Sequence, residues 1–289
     1  MLRKFKPNHI NATTEDFEGN YGLGRYVFFP GSLGIAKKIA ESCFLELRVK
    51  EHHRGHSLYL GTLNNEEDEK IDVAAVASGM GTPSVEIFLN ELIYLKAKRF
   101  LRVGTSGLLQ SQFMNAGDFV VATGAVRDEG ATRNYVPLEY PAIASIDIIN
   151  AAQKASKKLG YEDKTHIGLL HSKDTLYARE FCKGPDEENN RNYMTLLKKA
   201  GVLASEMEAS MLFILASLFN YKFNQKSLKE KSEYDKIKTG VLCVVLGEGD
   251  DFGTEKSINK MTTEMIQLAK TTFCELAKFE FPIARACPN

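Results

Sequence analysis

The sequence predicts a single α/β domain with a mixed, mostly parallel central sheet flanked by helices. Short apolar runs typical of buried strands alternate with helical patterns along the whole chain. No internal repeat or low-complexity linker divides the sequence, so we expect residues 1–289 to form one domain. With 289 residues, 44% of them apolar, the chain is long enough to bury a large core.

Charge balance and the placement of cysteine and histidine exclude several classes of protein. The chain has 37 Lys and Arg against 37 Asp and Glu, so no net field favours nucleic acid or an anionic membrane. The N-terminus lacks the apolar core of a signal peptide, and no stretch of about 18 apolar residues occurs. The five cysteines form no CxxC, and His52, His53 and His56 match no metal-ligand spacing. We expect a cytoplasmic protein without a metal, a nucleic-acid partner or a membrane partner.

The first elements are a strand, a glycine turn and a helix, followed by a pair of strands. Residues 25–30 (RYVFFP) are a short apolar run, and apolar residues recur at helical spacing over 35–44. The GSLG turn between them has the outline of an anion site at a helix N-terminus, although many such turns bind nothing. Two strands are predicted within 45–63, around HHRGH, and a polar turn at 64–70.

The next segment carries the most regular helical pattern of the chain. A strand predicted at 73–77 comes before it. Apolar residues then fall at i, i+3, i+4, i+7 and i+8, namely Val85, Phe88, Leu89, Leu92 and Ile93. Pro83 and Ser84 suit the first turn of a helix, so we predict a helix that buries one face.

A buried arginine marks the centre of the chain. Residues 100–103 (FLRV) read as a buried strand, so Arg102 requires an anionic partner. The GTSG turn predicted at 104–107 offers backbone N–H groups and two hydroxyls where ligands bind in open α/β sheets. Arginine, hydroxyls and free amides suit phosphate. The alternative is a core arginine tied to a carboxylate, with GTSG as an ordinary loop.

The remaining elements continue the alternation of strands and helices. Strands are predicted at 118–123, 166–171, 202–204 and 239–246, and helices at 142–159, 207–219 and 258–279. Polar loops are predicted at 127–130 and 173–192. Residues 222–238 form a highly charged insert, which we expect to be a surface loop or an exposed helix.

Two carboxylates flank a methionine where the helix at 207–219 begins. Glu206 and Glu208 stand at i and i+2, so they cannot share one helical face, and the chain must be irregular at Glu206 if both are used. Such carboxylates could accept hydrogen bonds from the vicinal hydroxyls of a sugar. The alternative is that both stabilise the N-terminus of the helix through its dipole.

Taken in order, these segments resemble the nucleoside phosphorylase family of the hexameric bacterial type, and within it the uridine phosphorylases. The resemblance runs from about residue 9 to 246. Its most specific parts are SGMGTPSVEIFLNEL at 78–92, RVGTSG at 102–107 and EMEA at 206–209. It implies a pentosyltransferase that converts a nucleoside, uridine in the first place, and inorganic phosphate into free base and ribose 1-phosphate. It implies no cofactor, since phosphate is a co-substrate.

The resemblance also implies a phosphate site and a ribose site. Gly31, Arg102 and Thr105 match the phosphate-binding positions, and Arg54 matches an arginine lent by the neighbouring subunit. Cationic side chains there would hold phosphate beneath C1′. Its negative charge would then stabilise a transition state with oxocarbenium character at C1′. Glu206, Met207 and Glu208 match the ribose-binding segment, and His9 matches a histidine that binds the 5′-hydroxyl across a dimer interface.

The same resemblance gives catalytic roles to Arg102 and Glu208, and base contacts to Gly107, Arg179 and Glu248. Arg179 has an alternative, which is pairing with a carboxylate of the charged loop. Because Arg54 and His9 serve a partner's site, the expected assembly is a homodimer, with a hexamer as the larger alternative.

Three departures from the family pattern leave the substrate open. Ile35 stands where the family has a phosphate-binding arginine, and no glutamine is in register near Arg179 to read uracil. After the last strand, neither the Asn-Arg of uridine enzymes nor the Ser-Asp of purine enzymes occurs. Glu248 or Asp250 could act as a general acid if burial raised its pKa, or the segment is a solvated acidic turn. The alternatives are a purine nucleoside phosphorylase, a nucleosidase or a nucleoside-binding member without turnover.

Overall fold

The computed structural model describes residues 6–224, 235–249 and 252–286. The strands are β1 (Tyr26–Phe28), β2 (Leu45–Lys50), β3 (Leu58–Asn64), β4 (Lys70–Ala75), β5 (Arg99–Leu108), β6 (Phe119–Asp128), β7 (Ala142–Ile143), β8 (Thr165–Lys173), β9 (Ala204–Glu206) and β10 (Lys238–Gly247). The α-helices are α1 (Leu33–Cys43), α2 (Thr82–Tyr94), α3 (Ile146–Lys158), α4 (Glu187–Lys199), α5 (Ala209–Asn224) and α6 (Glu255–Ala286).

The strands join into one ten-stranded mixed sheet in the order β10-β6-β8-β9-β5-β1-β4-β3-β2, with β7 on β6. Because β10 also pairs with β5, the strands β5, β9, β8, β6 and β10 form a closed circuit. The two longest ladders, β5 with β10 and β6 with β8, are parallel, while β2, β3, β7 and β9 add antiparallel pairings. The predicted α/β fold with a mixed sheet flanked by helices is confirmed.

The sheet is covered on both faces. One core cluster contains the apolar residues of α2 and α5, and the other contains those of α1, α3 and α6. The stripe predicted for α2 is buried, with Val85, Phe88, Leu89 and Leu92 each less than 5% exposed. Ser32 caps α1 by accepting a hydrogen bond from the backbone N–H of Ile35, so this helix begins two residues earlier than predicted.

Two strands continue through segments that we predicted as a turn and a loop. β5 includes the GTSG residues 104–107, because the ladder with β10 continues through them and β9 pairs with Gly107 and Leu108. β6 includes Arg127 and Asp128 of the predicted polar loop, because both residues pair with β8. Polar composition therefore did not end either strand.

Two other segments have a different structure from the predicted one. Residues 142–143, predicted as the start of a helix, form β7 against β6, and α3 begins only at Ile146. The predicted charged loop at 173–192 contains a π-helical turn, Leu176–Glu180, and the first part of α4. In α4 the residues Met194 and Leu197 are buried, so this helix packs although most of its exposed residues are polar or charged.

Most of the predicted charged insert, residues 225–234, lies outside the described residues, as do Asp250 and Cys287. Within the described ranges, no helix has the length and apolarity needed to cross a membrane. The same ranges contain no group of three or more side chains suited to holding a metal ion.

Candidate active site

A cavity of about 720 Å³ opens where several parallel strands end. The chain reaches it just after β1 and β4, at the last residues of β5, β8 and β10, and in the segment after β9. The carboxyl ends of the strands in an open α/β sheet are the usual place for a ligand. The cavity therefore lies where the sequence predicted a site, although β5 rather than a turn forms part of its wall.

Arg102 lies in this cavity between two carboxylates. Its side chain is 5% exposed, its Nε donates to Glu206 Oε2 at 3.3 Å, and its Nη2 donates to Glu208 Oε2. Its Nη1 is buried and has no hydrogen-bond partner among the described residues. The anionic partner that the sequence required is thus present, and one edge of the guanidinium remains unused.

Backbone N–H groups at the N-termini of α5 and α2 hold the two carboxylates in different ways. Glu206 accepts hydrogen bonds from the backbone N–H groups of Glu208 at 2.8 Å and Ala209 at 2.9 Å, so it stabilises the N-terminus of the helix, which our alternative interpretation expected of both carboxylates. Glu208 Oε1 accepts a hydrogen bond from the backbone N–H of Gly81 at 2.6 Å. Its other oxygen is the one on Arg102.

The ionisation of Arg102 and Glu208 is shaped by their burial together. Burial, reinforced by the neighbouring Glu206 carboxylate, raises the pKa of Glu208 although Arg102 opposes the shift. Burial also works against the charged form of Arg102, but Glu208 and Glu206 outweigh it and raise the pKa of the guanidinium. Arg102 is therefore a permanent cation, and Glu208 takes up a proton more readily than an ordinary carboxylate.

Two glycines make room around the guanidinium. A Cβ at Gly31 would lie 3.4 Å from Arg102 Nη1, and one at Gly104 would lie 3.1 Å from Nη2. Thr105 and Ile35 also line this part of the cavity. The structure thus brings together Gly31, Arg102 and Thr105, which the sequence assigned to phosphate. The isoleucine adds no charge.

Met207 lines the cavity beside Glu206 and Glu208, so the whole predicted ribose segment is there. Arg54 and His9 do not line it. Arg54 is exposed in the connection between β2 and β3. His9 is anchored elsewhere, with its Nδ1 2.8 Å from Glu91 Oε1. Neither position conflicts with service to a partner subunit's cavity, and that role stays a prediction.

Of the three predicted base contacts, only Gly107 lines the cavity. Arg179 instead contacts Asp128, with 2.7 Å between Nε and Oδ2, and stacks on Tyr193. It is thus paired with a carboxylate, as in our alternative, but with one at the end of β6 and not in the charged loop. Glu248 pairs with Lys198 outside the cavity, and that hydrogen bond lowers the pKa of Glu248. A general acid needs the opposite shift, so the condition under which Glu248 could act as one, a pKa raised by burial, is not met.

Three charged or titratable residues that the sequence did not assign line the cavity. Lys173 and Glu180 form a buried ion pair, with 2.5 Å between Nζ and Oε2. His56 packs on Phe88, with 4.4 Å between the ring centroids. The HHRGH cluster was a signal for His56, but Lys173 fell in the predicted loop because the strand was predicted to end at residue 171. No sequence pattern marked Glu180.

The fold and the cavity define a class of protein: an α/β protein with a buried arginine–dicarboxylate cluster at the carboxyl ends of its strands. Comparison with known proteins identifies the family. The profile described as Phosphorylase superfamily matches residues 25–278. The chain therefore belongs to the phosphorylase superfamily.

Individual relatives cover most of the chain. A uridine phosphorylase of Treponema pallidum is 31% identical over 243 residues, which cover 83% of this chain and 81% of the relative. A uridine phosphorylase of Haemophilus influenzae is 34% identical over 217 residues, 72% of this chain and 79% of the relative. A guanosine phosphorylase of Halorubrum lacusprofundi is 33% identical over 190 residues, 65% of this chain and 70% of the relative. The predicted family and the predicted pentosyltransferase class of enzyme are confirmed.

Proposed function

We propose that this enzyme cleaves a nucleoside, uridine in the first place, with inorganic phosphate to give the free base and ribose 1-phosphate. The observation that carries the proposal is the buried Arg102 guanidinium, whose Nη1 has no hydrogen-bond partner among the described residues and lies beside Gly31. An unused cationic donor in a cavity suits an anion. The relatives named uridine phosphorylase support uridine.

Phosphate binding requires a rearrangement that also prepares the ribose site. Glu208 now holds Nη2 of Arg102, so the three side chains of Arg102, Glu206 and Glu208 carry one positive and up to two negative charges. When phosphate binds to Nη1 and Nη2, Glu208 is released from the guanidinium. It can then accept hydrogen bonds from the 2′- and 3′-hydroxyls of the ribose.

The bond between C1′ and the base breaks with positive charge developing on the ribose ring. Phosphate held by Arg102, Thr105 and the backbone at Gly31 places negative charge beneath C1′ as that charge forms, and Glu208 adds a nearby carboxylate. Hydrogen phosphate then forms the new bond to C1′ through one of its oxygens. The base leaves with the electrons of the broken bond and takes up a proton equivalent to the one that hydrogen phosphate loses. Positioning of phosphate against C1′ is the main contribution of these residues.

The cavity as a whole has fewer resident cations than the family pattern implies. Ile35 stands in place of the second arginine. Among the described residues that line the cavity, only Arg102, Lys173 and His56 can carry positive charge. The missing contact costs about 1.5–3 kcal/mol if nothing replaces it. We propose that Arg54 of a partner subunit contributes a cation, which makes the functional unit a homodimer or a larger homo-oligomer.

A purine substrate is the second candidate, favoured by the guanosine phosphorylase relative. Hydrolysis in place of phosphorolysis is favoured only by Ile35, which stands where the family pattern has a positively charged arginine. We further propose that the enzyme acts in the cytoplasm, without a cofactor and without a nucleic-acid or membrane partner.

Base release from uridine and from inosine, each with and without inorganic phosphate, tests the proposal by ultraviolet absorbance. We expect phosphate-dependent loss of uridine. Phosphate-dependent loss of inosine alone would move the assignment to purines. Release that does not depend on phosphate would show a nucleosidase, and binding without release of either base would show a non-catalytic member.

A further inference from the structure

The cavity contains a second buried ionic cluster that the reaction described above does not use. Lys173 Nζ lies 2.5 Å from Glu180 Oε2, and the two side chains are only 2% and 4% exposed. Both line the same cavity as Arg102. A buried carboxylate needs a compensating charge, and Lys173 supplies it.

This pair is not fully satisfied by the protein. The contact between Lys173 and Glu180 lacks the angle of a hydrogen bond, and Glu180 Oε2 has no hydrogen-bond donor within the described ranges. Lys173 donates to Ser205 Oγ at 2.9 Å, but its contact with the Glu206 carbonyl is 3.4 Å, longer than the usual 2.7–3.2 Å. The pair therefore presents one acceptor and one weakly used donor side by side.

Its position along β5 separates it from the phosphate cluster by the length of a nucleoside. Gly104 lies beside the Arg102 guanidinium, whereas a Cβ at Gly107 would overlap Glu180 Oε1. Three residues along a strand span about 10 Å, enough for a ribose and the ring attached to it. The cavity wall also includes Leu176, Met207, Leu246 and Phe252, which suit the faces of a sugar and an aromatic base.

We propose that Glu180 and Lys173 read the base, and that they select bases with a ring N–H next to a carbonyl group. This inference rests on the proposed function and specifies its substrate class. An ionised carboxylate can only accept a hydrogen bond, and an ammonium group can only donate one. Glu180 accepts from the ring N–H, and Lys173 donates to the adjacent C=O.

Uracil presents this edge at N3–H, and hypoxanthine and guanine present it at N1–H. Cytosine and adenine have an unprotonated ring nitrogen in the same place, which would leave Glu180 facing an acceptor. A buried polar group without its partner carries the full cost of desolvation. The site therefore discriminates against cytosine and adenine more strongly than it would against a base that differed only slightly in shape. The pair would thus take the base-binding role that the family pattern gives to a glutamine, which this chain lacks, and to Arg179, which lies outside the cavity.

Substrates methylated at that nitrogen test the proposal on the unaltered enzyme. We would measure phosphate-dependent kcat/KM, and binding by calorimetry, for uridine against 3-methyluridine and for inosine against 1-methylinosine, with cytidine and adenosine alongside. For the nucleoside that is turned over, methylation should lower kcat/KM on the order of 100-fold or more. The kcat/KM values for cytidine and adenosine should be lower than that of the parent nucleoside by at least the same factor.

A charge-free variant tests the two residues directly. In Lys173→Met/Glu180→Leu, the ratio between the parent nucleoside and its methylated form should fall to within about threefold. Binding of ribose 1-phosphate, which has no base, should not change. The matched control is Lys158→Met/Glu66→Leu, which removes a surface ion pair and should keep the wild-type ratio.

The outcomes separate this inference from the proposed function. Equal turnover of the parent and methylated nucleosides by the wild type would overturn the inference and leave phosphorolysis intact. Discrimination in binding without phosphate-dependent release would support the inference and overturn phosphorolysis. If the wild type bound no nucleoside, both would fall. Should the double variant fail to fold, the wild-type ratio alone decides.

Discussion

Arg99 and Arg102, three residues apart on β5, show how two buried arginines serve different purposes. Arg99 is fully buried and held by Glu280, with 2.8 Å between Nη2 and Oε1, and by the carbonyl of Lys236. Arg102 faces the cavity and keeps Nη1 without a partner among the described residues. The first is a core ion pair, and the second is available to a ligand.

We expect Arg102→Ala to lower phosphate-dependent kcat/KM by a factor of about 10³, because it removes the donors that hold phosphate in the transition state. Arg102→Lys should recover only part of this loss, since a lysine keeps the charge but not the fork of the guanidinium. Steady-state kinetics with varied phosphate would check both variants, with circular dichroism to confirm folding. Full activity of the alanine variant would refute the phosphate site.

Glu206 and Glu208 should respond differently to the same change, because one caps α5 and the other faces the cavity. Glu208→Gln should lower kcat/KM for a riboside on the order of 100-fold and have less effect on the 2′-deoxyriboside, which lacks one of the hydroxyls it binds. Glu206→Gln should mainly lower Tm, because it weakens the cap on the N–H groups of Glu208 and Ala209. Equal losses of kcat/KM on the riboside and the 2′-deoxyriboside would show that Glu208 does not bind the 2′-hydroxyl.

Sequence reasoning found Arg102, Glu206 and Glu208 because a charged residue within or next to an apolar run needs a specific partner or ligand. It could not distinguish Arg179 from Glu180. These neighbours lie in a π-helical turn, where no regular period says which side chain faces inward. In the structure Arg179 packs on Tyr193 and Glu180 lines the cavity, so one position along an irregular turn decides the composition of the site.

At the scale of elements, pairing between strands overrode local composition. The GTSG residues would form a turn in isolation, yet two neighbours, β10 and β9, continue to pair with them. The strands at 100–103 and 239–246 were predicted from their apolar runs, but the partner of each and the end of each ladder depend on contacts distant in sequence. The helix α2, whose period is regular, was predicted to within a few residues.

The helix α6 is fixed to the sheet by a buried ionic group. Glu280, 1% exposed, accepts hydrogen bonds from Arg99 and Tyr26, and Lys238 Nζ lies 2.8 Å from its Oε1. Burial opposes its charge, but Arg99 and Lys238 outweigh burial and lower the pKa of Glu280. A carboxylate whose pKa is lower in the folded than in the unfolded state stabilises the fold above the unfolded value, and that stabilisation is lost as pH falls.

We therefore expect Glu280→Gln to lower the free energy of unfolding by about 3 kcal/mol at pH 7, because it leaves Arg99 without its counter-charge. The wild type should lose stability as pH falls below about 4.3, the ordinary value for an unfolded glutamate, and the difference between the two proteins should shrink there. Urea unfolding at several pH values would check this. Glu41→Gln, on the exposed face of α1, is the control, and a constant difference across pH would contradict the role of charge.

At the scale of the whole molecule, the cavity of one chain contains most, but not all, of the residues predicted for the site. The cavity contains the proposed phosphate, ribose and base groups, whereas Arg54 and His9 are held elsewhere on the same chain. The sequence could predict both residues only through resemblance to a family, because a contact between subunits leaves no pattern in one chain. We propose that they act in a partner's cavity.

Complementation between two inactive variants tests this arrangement. In a dimer with shared sites, a subunit with Arg54→Ala lends nothing but has an intact cavity, and a subunit with Glu208→Ala has a damaged cavity but lends an intact Arg54. A mixed dimer therefore has one complete site of two. Random mixing makes half of the dimers mixed, so about a quarter of the wild-type activity should return when the two are expressed together. Each variant expressed alone should remain nearly inactive, and if the mixture stays equally inactive, or if Arg54→Ala alone is fully active, each cavity is complete within its own chain.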